Sequence, residues 1–239
     1  MQNIMNFVII QFIAHLITDF YSQNDEICNQ KEERGFRTRH LYGHALLIFL
    51  MAWLFSFSLN FGIYALAIGV VHLLIDGFKS FLKNWKYVFF ADQMAHIAVI
   101  VAVVFIYNQN AGISLPEWLT YTRYLLIIAG IIFCLKPTNV LISNILHTFD
   151  IKTTDKKAET GDLEKAGRLI GNLERILALV FVLLNQYPAI GFLIAAKAIL
   201  RFKDTSTAKT EYVLIGTLLS FGVAILTGIC ILKIKTLGQ

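Results

Sequence analysis

The chain has 239 residues, of which 56% are hydrophobic and only 15% charged, and its mean hydropathy is +0.63. A soluble domain carries about 25% charged residues, so an ordinary globular fold is excluded; long continuous apolar runs without ~10-residue alternation exclude a β-barrel. The net charge of +5 sits in the loops between those runs and makes no nucleic-acid-binding patch.

In chain order, apolar runs of spanning length fall at residues 4–21, 40–59, 61–80, 88–107, 120–135, 168–185, 187–202 and 211–232. The first of them, in "MQNIMNFVIIQFIAHLITDF", lacks a basic leader region and a small-residue cleavage site, so it reads as a retained span. The segment 137–149, "PTNVLISNILHTF", follows a proline and has the pattern of an amphipathic helix lying at the interface. Between residues 150 and 166, "DIKTTDKKAETGDLEKA" is the one clearly polar linker.

The expected fold is therefore all-α: a polytopic membrane protein of about seven to eight transmembrane helices, in two four-helix halves joined by a polar cytoplasmic linker. Residues 1–110 hold the N-terminal membrane helices, 111–149 a fifth span plus the interfacial helix, 150–166 the linker, and 167–239 the C-terminal membrane helices. Cys28, Cys134 and Cys230 form no CxxC pair, so neither a disulfide framework nor a thiolate zinc site is indicated.

Basic residues concentrate in alternate loops: Lys31, Arg34, Arg37 and Arg39; Lys79, Lys83 and Lys86; Lys136 to Arg168; and Arg201, Lys203 and Lys209. The positive-inside rule makes those loops cytoplasmic. Arg123, in an intervening loop, and Lys233 and Lys235, near the C-terminus, run against this pattern. Trp85, Tyr87, Trp118, Tyr121 and Tyr187 flank the spans as interfacial belts do.

Four pairs of residues at i,i+4 interrupt the apolar runs: His15 and Asp19, His40 and His44, His72 and Asp76, Asp92 and His96. That spacing puts both members of a pair on one helical face. An aspartate near the middle of a spanning helix costs about 3 kcal/mol on insertion scales, so such residues need a partner or a purpose. With alternating helix direction, all four pairs fall at the cytoplasmic side of the bilayer. A single membrane histidine is most often a hydrogen-bonded packing residue; four pairs at one level point instead to a metal site.

Imidazole and carboxylate without thiolate suit a divalent transition metal, Zn, Mn or Fe, as one ion or two. The expected ligands are His15, Asp19, His44, His72, Asp76, Asp92 and His96. Gln23, His40 and Gln93 are expected around them, with His40 the first to drop out because it abuts the basic loop "ERGFRTRH".

The segments "AHLITDFYSQ", "GHALLIF", "HLLIDGFK" and "DQMAHI", followed by "GRLIGNLERI", "AIGFLIAAKAILRF" and "EYVLIGTLLS", together resemble an uncharacterised bacterial membrane family known as domain of unknown function 3307. The resemblance implies a fold and a location in the bacterial inner (cytoplasmic) membrane, and no reaction. The "HLLID" element is also similar to that of predicted inner-membrane metal-dependent hydrolases, although the full histidine pattern of those proteins is not matched.

In the second half, Arg175, Lys197 and Arg201 are candidates for binding an anion, Arg through its rigid fork and Lys as a point charge. Glu174 and Glu211 equally suit a buried ion pair with them. Spacings such as Gly167/Gly171, Gly191/Ala195 and Gly216/Ser220 allow close helix approach.

Three functions compete. One is a metal-dependent hydrolase acting on a phosphate-bearing, lipid-linked substrate reached from the cytoplasmic leaflet. The second is a metal-ion transporter or sensor, and the third a structural or partner-binding membrane protein. Membrane lipid is the expected partner throughout. Residues 45–59 and 97–106 lack charge, which favours a site open on one side over a path across the membrane.

Overall fold

A computed structural model describes residues 1–82, 84–151, 161–201 and 207–237; for residues 25, 161–166, 200, 201, 207–213 and 235–237 it describes the backbone alone. The described residues are helical and contain no strand: α1 (Gln2–Leu16), α2 (Asp25–Arg34), α3 (Arg39–Ser56), α4 (Gly62–Lys79), α5 (Val88–Ala111), α6 (Thr122–Cys134), α7 (Lys136–Thr148), α8 (Gly161–Leu183), α9 (Tyr187–Arg201) and α10 (Thr207–Leu237). Four stretches, Gln2–Tyr21, Leu59–Leu82, Val88–Ala111 and Leu214–Ile234, are long and apolar enough to cross a membrane. A fifth forms if α6 and α7, bent by 48° at their junction, act as one. The remaining runs expected to span, 40–59, 168–185 and 187–202, fold as α3, α8 and α9.

Two compact units divide at Ala129/Gly130, inside α6. The polar segment 150–166, where the sequence places the division, lies mostly outside the described residues.

In the first unit, α3 packs against α4 and α1, and α5 against α4 and α1. The close approach of α3 and α4 uses Gly69, where an added Cβ would lie 2.9 Å from the Phe49 Cβ and 3.1 Å from the Ala45 carbonyl. One half of this bundle is filled by Phe7, Phe61 and Tyr107, with ring centroids 5.0 to 5.6 Å apart, together with Ile48, Ile68, Ile100 and Val104. Asn6 closes that end by donating to the carbonyls of Leu119 (3.1 Å) and Thr120 (2.9 Å).

At the opposite end lies α2, in what reads from sequence as a basic loop. Asn24 caps it, accepting from the Ile27 N–H at 2.9 Å, and Gly35 ends it with φ +51°. Phe36 then packs so closely on Gly77 that a Cβ there would lie 2.2 Å from its ring, and it meets the Phe78 ring at 5.5 Å. The polar helix is thereby strapped across the end of α4.

In the second unit, α8 packs against α9 and α10, and α7 against α10. The tight contacts occur at Gly130, against Ile231, and at Gly228, against Val182. At Gly167, Gly191 and Gly216, where the spacing predicts close approach, no described atom would come within 4 Å of an added Cβ. Among the described residues those glycines make no close approach, which periodicity along one helix does not reveal.

Candidate metal centre

Helix α1 changes pitch as it reaches the cluster. Residues Ile17–Tyr21 form a π-helical turn, a form that recurs at functional sites because it re-aims the side chain it carries. The hydroxyls of Thr18 and Ser22 bond back to the carbonyls of Ala14 (2.7 Å) and Thr18, a pattern that loosens the regular α ladder. The side chain delivered by this turn is Asp19.

The antiparallel packing of α1, α3, α4 and α5 brings His15 and Asp19, His44, His72 and Asp76, and Asp92 and His96 together. All seven expected ligands fall into three overlapping sets whose atoms lie within 4.8 Å of one another: His15, His72 and His96; Asp19, His44 and His72; Asp76, Asp92 and His96. Six of the seven are buried and Asp19 is nearly so. His40 is exposed, outside the cluster.

The second set has the tightest geometry. The His44 Nε2 lies 3.2 Å from the Asp19 Oδ1 and 3.1 Å from the His72 Nε2, and the third edge, from His72 Nε2 to Asp19 Oδ1, is 3.8 Å. The centre of that triangle is about 2.0 Å from each corner, the length of a zinc–imidazole or zinc–carboxylate bond. The Gln23 amide flanks it, with its nitrogen 2.9 Å from His44 Nε2 and 3.3 Å from Asp19 Oδ1.

Next to this triangle, the rings of His72 and His96 stack with centroids 3.9 Å apart and planes 11° apart. His96 is 3% exposed, and neither of its ring nitrogens has a hydrogen-bond partner among the described residues; the same holds for the His44 Nδ1 and the Asp92 Oδ1. An orphaned buried polar atom costs about 1–3 kcal/mol, so four of them in one cluster call for a group the protein chain does not itself supply. A cavity of about 20 Å³, room for about one water, opens beside His15, His72 and His96, with Gln11 and Thr18 on its wall.

The cluster is ringed by charge and amide partners. The Gln93 amide donates to Asp19 Oδ2 at 2.8 Å and to Asp92 Oδ2 at 3.3 Å, and its oxygen lies 3.4 Å from the His15 Nε2. Lys31, on α2, donates to Asp76 Oδ2 at 2.6 Å. Lys79 lies 3.4 Å from Asp92 Oδ2 and 3.7 Å from Glu32. Sequence reasoning counted both lysines only as loop charge. A signal for Lys79 was present, since residues 72, 76 and 79 share a helical face; for Lys31, the Asn24 cap and the Gly35 stop mark a helix but not where it docks.

The second unit holds the other expected residues. Lys197 forms an ion pair with Glu174, so this lysine is neutralised within its own unit. Arg175 is buried and binds neutral acceptors: the Cys134 carbonyl at 2.5 Å, freed by the break between α6 and α7, the Ser220 hydroxyl at 3.0 Å, and the side-chain oxygens of Asn139 and Asn172. The guanidinium thus satisfies one backbone carbonyl left open at that break. The side chains of Arg201 and Glu211 lie outside the described residues.

No curated protein and no solved structure matches the chain. The sequence profile of the family described as "Protein of unknown function (DUF3307)" matches residues 7–126, a stretch that runs from within α1 through α5 and contains all seven clustered His and Asp residues. The match covers half of the chain, which therefore belongs to the DUF3307 family.

Proposed function

We propose that the His/Asp cluster binds a divalent transition metal and serves a membrane-embedded, metal-dependent hydrolase acting on a phosphate-bearing, lipid-linked substrate. The observation that carries this is the Asp19/His44/His72 triangle, whose corners accommodate Zn, Mn or Fe at bonding distance without displacing any ligand atom. Three protein ligands leave a coordination position for water, as catalytic sites require. A metal there would lower the pKa of that water and polarise a phosphoryl oxygen. His96, next to the triangle with neither ring nitrogen hydrogen-bonded among the described residues and its Nε2 3.8 Å from Asp76 Oδ1, is placed to accept its proton. His15, held by Gln93, completes the wall.

The surroundings support access from one side. The aromatic packing of Phe7, Phe61 and Tyr107 fills the half of the unit away from the cluster, which disfavours a transport path. The cluster end is the end bearing the basic segment 31–39, cytoplasmic by the positive-inside rule. On this basis the chain is a multi-pass protein of the bacterial inner membrane with seven to eight spans, the linker 150–166 is cytoplasmic, and the site faces the cytoplasm.

A second function, a purely structural network holding the helices together, is favoured by the hydrogen bonds that Gln23, Gln93, Lys31 and Lys79 already make to the three aspartates. Elemental analysis of purified protein separates the two. Wild type contains transition metal, and His72→Ala, which removes a residue common to two of the three sets, contains far less. Folded wild-type protein that stays metal-free after reconstitution with Zn, Mn and Fe would leave only the structural network.

A further inference from the structure

We infer that Lys31, assisted by Lys79, is the anion-holding group of this centre, and that its ligand is a phosphate oxyanion bridging the metal at Asp19/His44/His72 and the Lys31 ammonium. The inference rests on the metal-centre reading and adds to it the residue that selects the substrate's charge.

Charge comes first. Asp76 and Asp92 carry two negative charges, and Lys31 and Lys79 place two positive charges on them at 2.6 and 3.4 Å. The ammoniums thus take the electrostatic role that a second metal would have at the Asp76/Asp92/His96 set, which makes the centre mononuclear. One divalent ion on Asp19, with metal-binding imidazoles neutral, leaves the buried groups of the cluster with a net charge of about +1, offset in part by the exposed Glu32 3.7 Å from Lys79. A buried excess positive charge is stabilised by an incoming anion.

Geometry supplies the second observation. Lys31 is 9% exposed, and among the described residues Asp76 is its only hydrogen-bonding partner. An ammonium has three donor hydrogens, so a desolvated cation stands at the site with donors to spare. Asp76 Oδ2, which takes one of them, is itself 3.7 Å from the His72 Nε2, a corner of the metal triangle. The Lys31 Nζ is therefore at most about 6 Å from that corner and about 8 Å from a metal at the centre of the triangle. One phosphate spans about 7 Å between a metal and an ammonium when the metal–oxygen and charge-assisted hydrogen-bond lengths are added to its own width. A single phosphate reaches both when the path through Asp76 is bent rather than straight. Lys31 also belongs to α2, the polar helix strapped on by Phe36 and Gly77, so the anion meets it at the polar end of the unit and not through the apolar core.

The experiment uses full-length protein loaded with Co²⁺ in phosphatidylcholine nanodiscs, whose visible spectrum reports ligands entering the metal's coordination sphere. Inorganic phosphate changes that spectrum in wild type. In Lys31→Met, Co²⁺ binds with unchanged or higher affinity, because a competing cation is gone, while phosphate affinity falls by about tenfold to a hundredfold, the worth of one charge-assisted hydrogen bond. Lys31→Arg keeps most of the phosphate affinity. A second set of nanodiscs containing phosphatidic acid separates the sources: a spectral change there without added phosphate identifies a lipid headgroup, and a change with inorganic phosphate alone identifies the free anion.

Independently of any variant, phosphate slows acylation of Lys31 in wild type, read by mass spectrometry, only when Co²⁺ is bound. Metal binding in wild type with no phosphate response overturns the inference and leaves the metal centre standing. So does a Lys31→Met protein that binds Co²⁺ and keeps its phosphate affinity within about twofold, given the size expected for the lost bond. A wild type that binds no Co²⁺ removes the metal centre itself.

Discussion

Replacing His44 with Leu tests the metal triangle through stability, because the change is sized to have opposite weight with and without metal. In the metal-free protein, the His44 Nε2 meets Gln23, Asp19 and His72 at 2.9 to 3.2 Å, yet a single ring nitrogen satisfies only about one of them well, worth about 1 kcal/mol. Against that loss, leucine removes the buried, partnerless Nδ1, whose desolvation costs about 1–3 kcal/mol. The melting temperature of the metal-free variant should therefore stay within about 4 °C of wild type.

With metal present the balance changes. A ligand at about 100 times its Kd stabilises the native state by about 2.7 kcal/mol, or about 5–11 °C for a chain of this size. Wild type gains that shift and His44→Leu does not. Tryptophan fluorescence during heating is the assay: Trp53, Trp85 and Trp118 are the chain's three tryptophans, and all lie in the unit that holds the cluster. His96→Leu serves as the contrast, since it removes two orphaned nitrogens but no corner of the triangle. Its metal-free melting temperature should equal or exceed that of wild type, with the metal shift retained. A His44→Leu protein stabilised by metal as strongly as wild type would refute the assignment. If instead His96→Leu alone loses the shift, the ion belongs to one of the two sets containing His96.

Two further outcomes are expected. In a background without native cysteines, an impermeant thiol reagent should label Asn110→Cys and not Glu33→Cys in intact cells, both being exposed positions at opposite ends of the unit; labelling of Glu33→Cys alone would invert the orientation and the cytoplasmic access drawn from it. Glu174→Ala should lower thermal stability by about 1–3 kcal/mol by leaving Lys197 unpaired, and adding Lys197→Met should restore most of it with metal content unchanged; no rescue by the double change would show that the pair is not what Glu174 contributes.

The helical, apolar character of the chain was legible because hydropathy and run length act locally. The seven cluster residues were legible for a related reason. Each pair occupies i and i+4 of its own helix, and helices that alternate in direction can bring such pairs to one depth only at the same end. Gly167, Gly191 and Gly216 were misleading, since a small-residue spacing marks a face and does not say whether another helix covers it. Lys197 read equally well as anion clamp or ion pair, because two charges 23 positions apart meet or miss according to how α8 and α9 pack.

What the sequence alone determined is the all-helical apolar build and the identity of the polar side chains that a low-dielectric interior would force together. Only the tertiary structure decided the arrangement among them: that Asp19 turns into the cluster on a π-helical turn, that His96 stacks on His72 with neither nitrogen hydrogen-bonded among the described residues, and that Lys31 folds back over 45 residues of chain to reach Asp76. Periodicity reports which face of a helix a residue occupies, whereas distance and partnership between faces are set by the packing of several helices at once. The charge of the centre, the property on which its chemistry depends, belongs to that second kind of information.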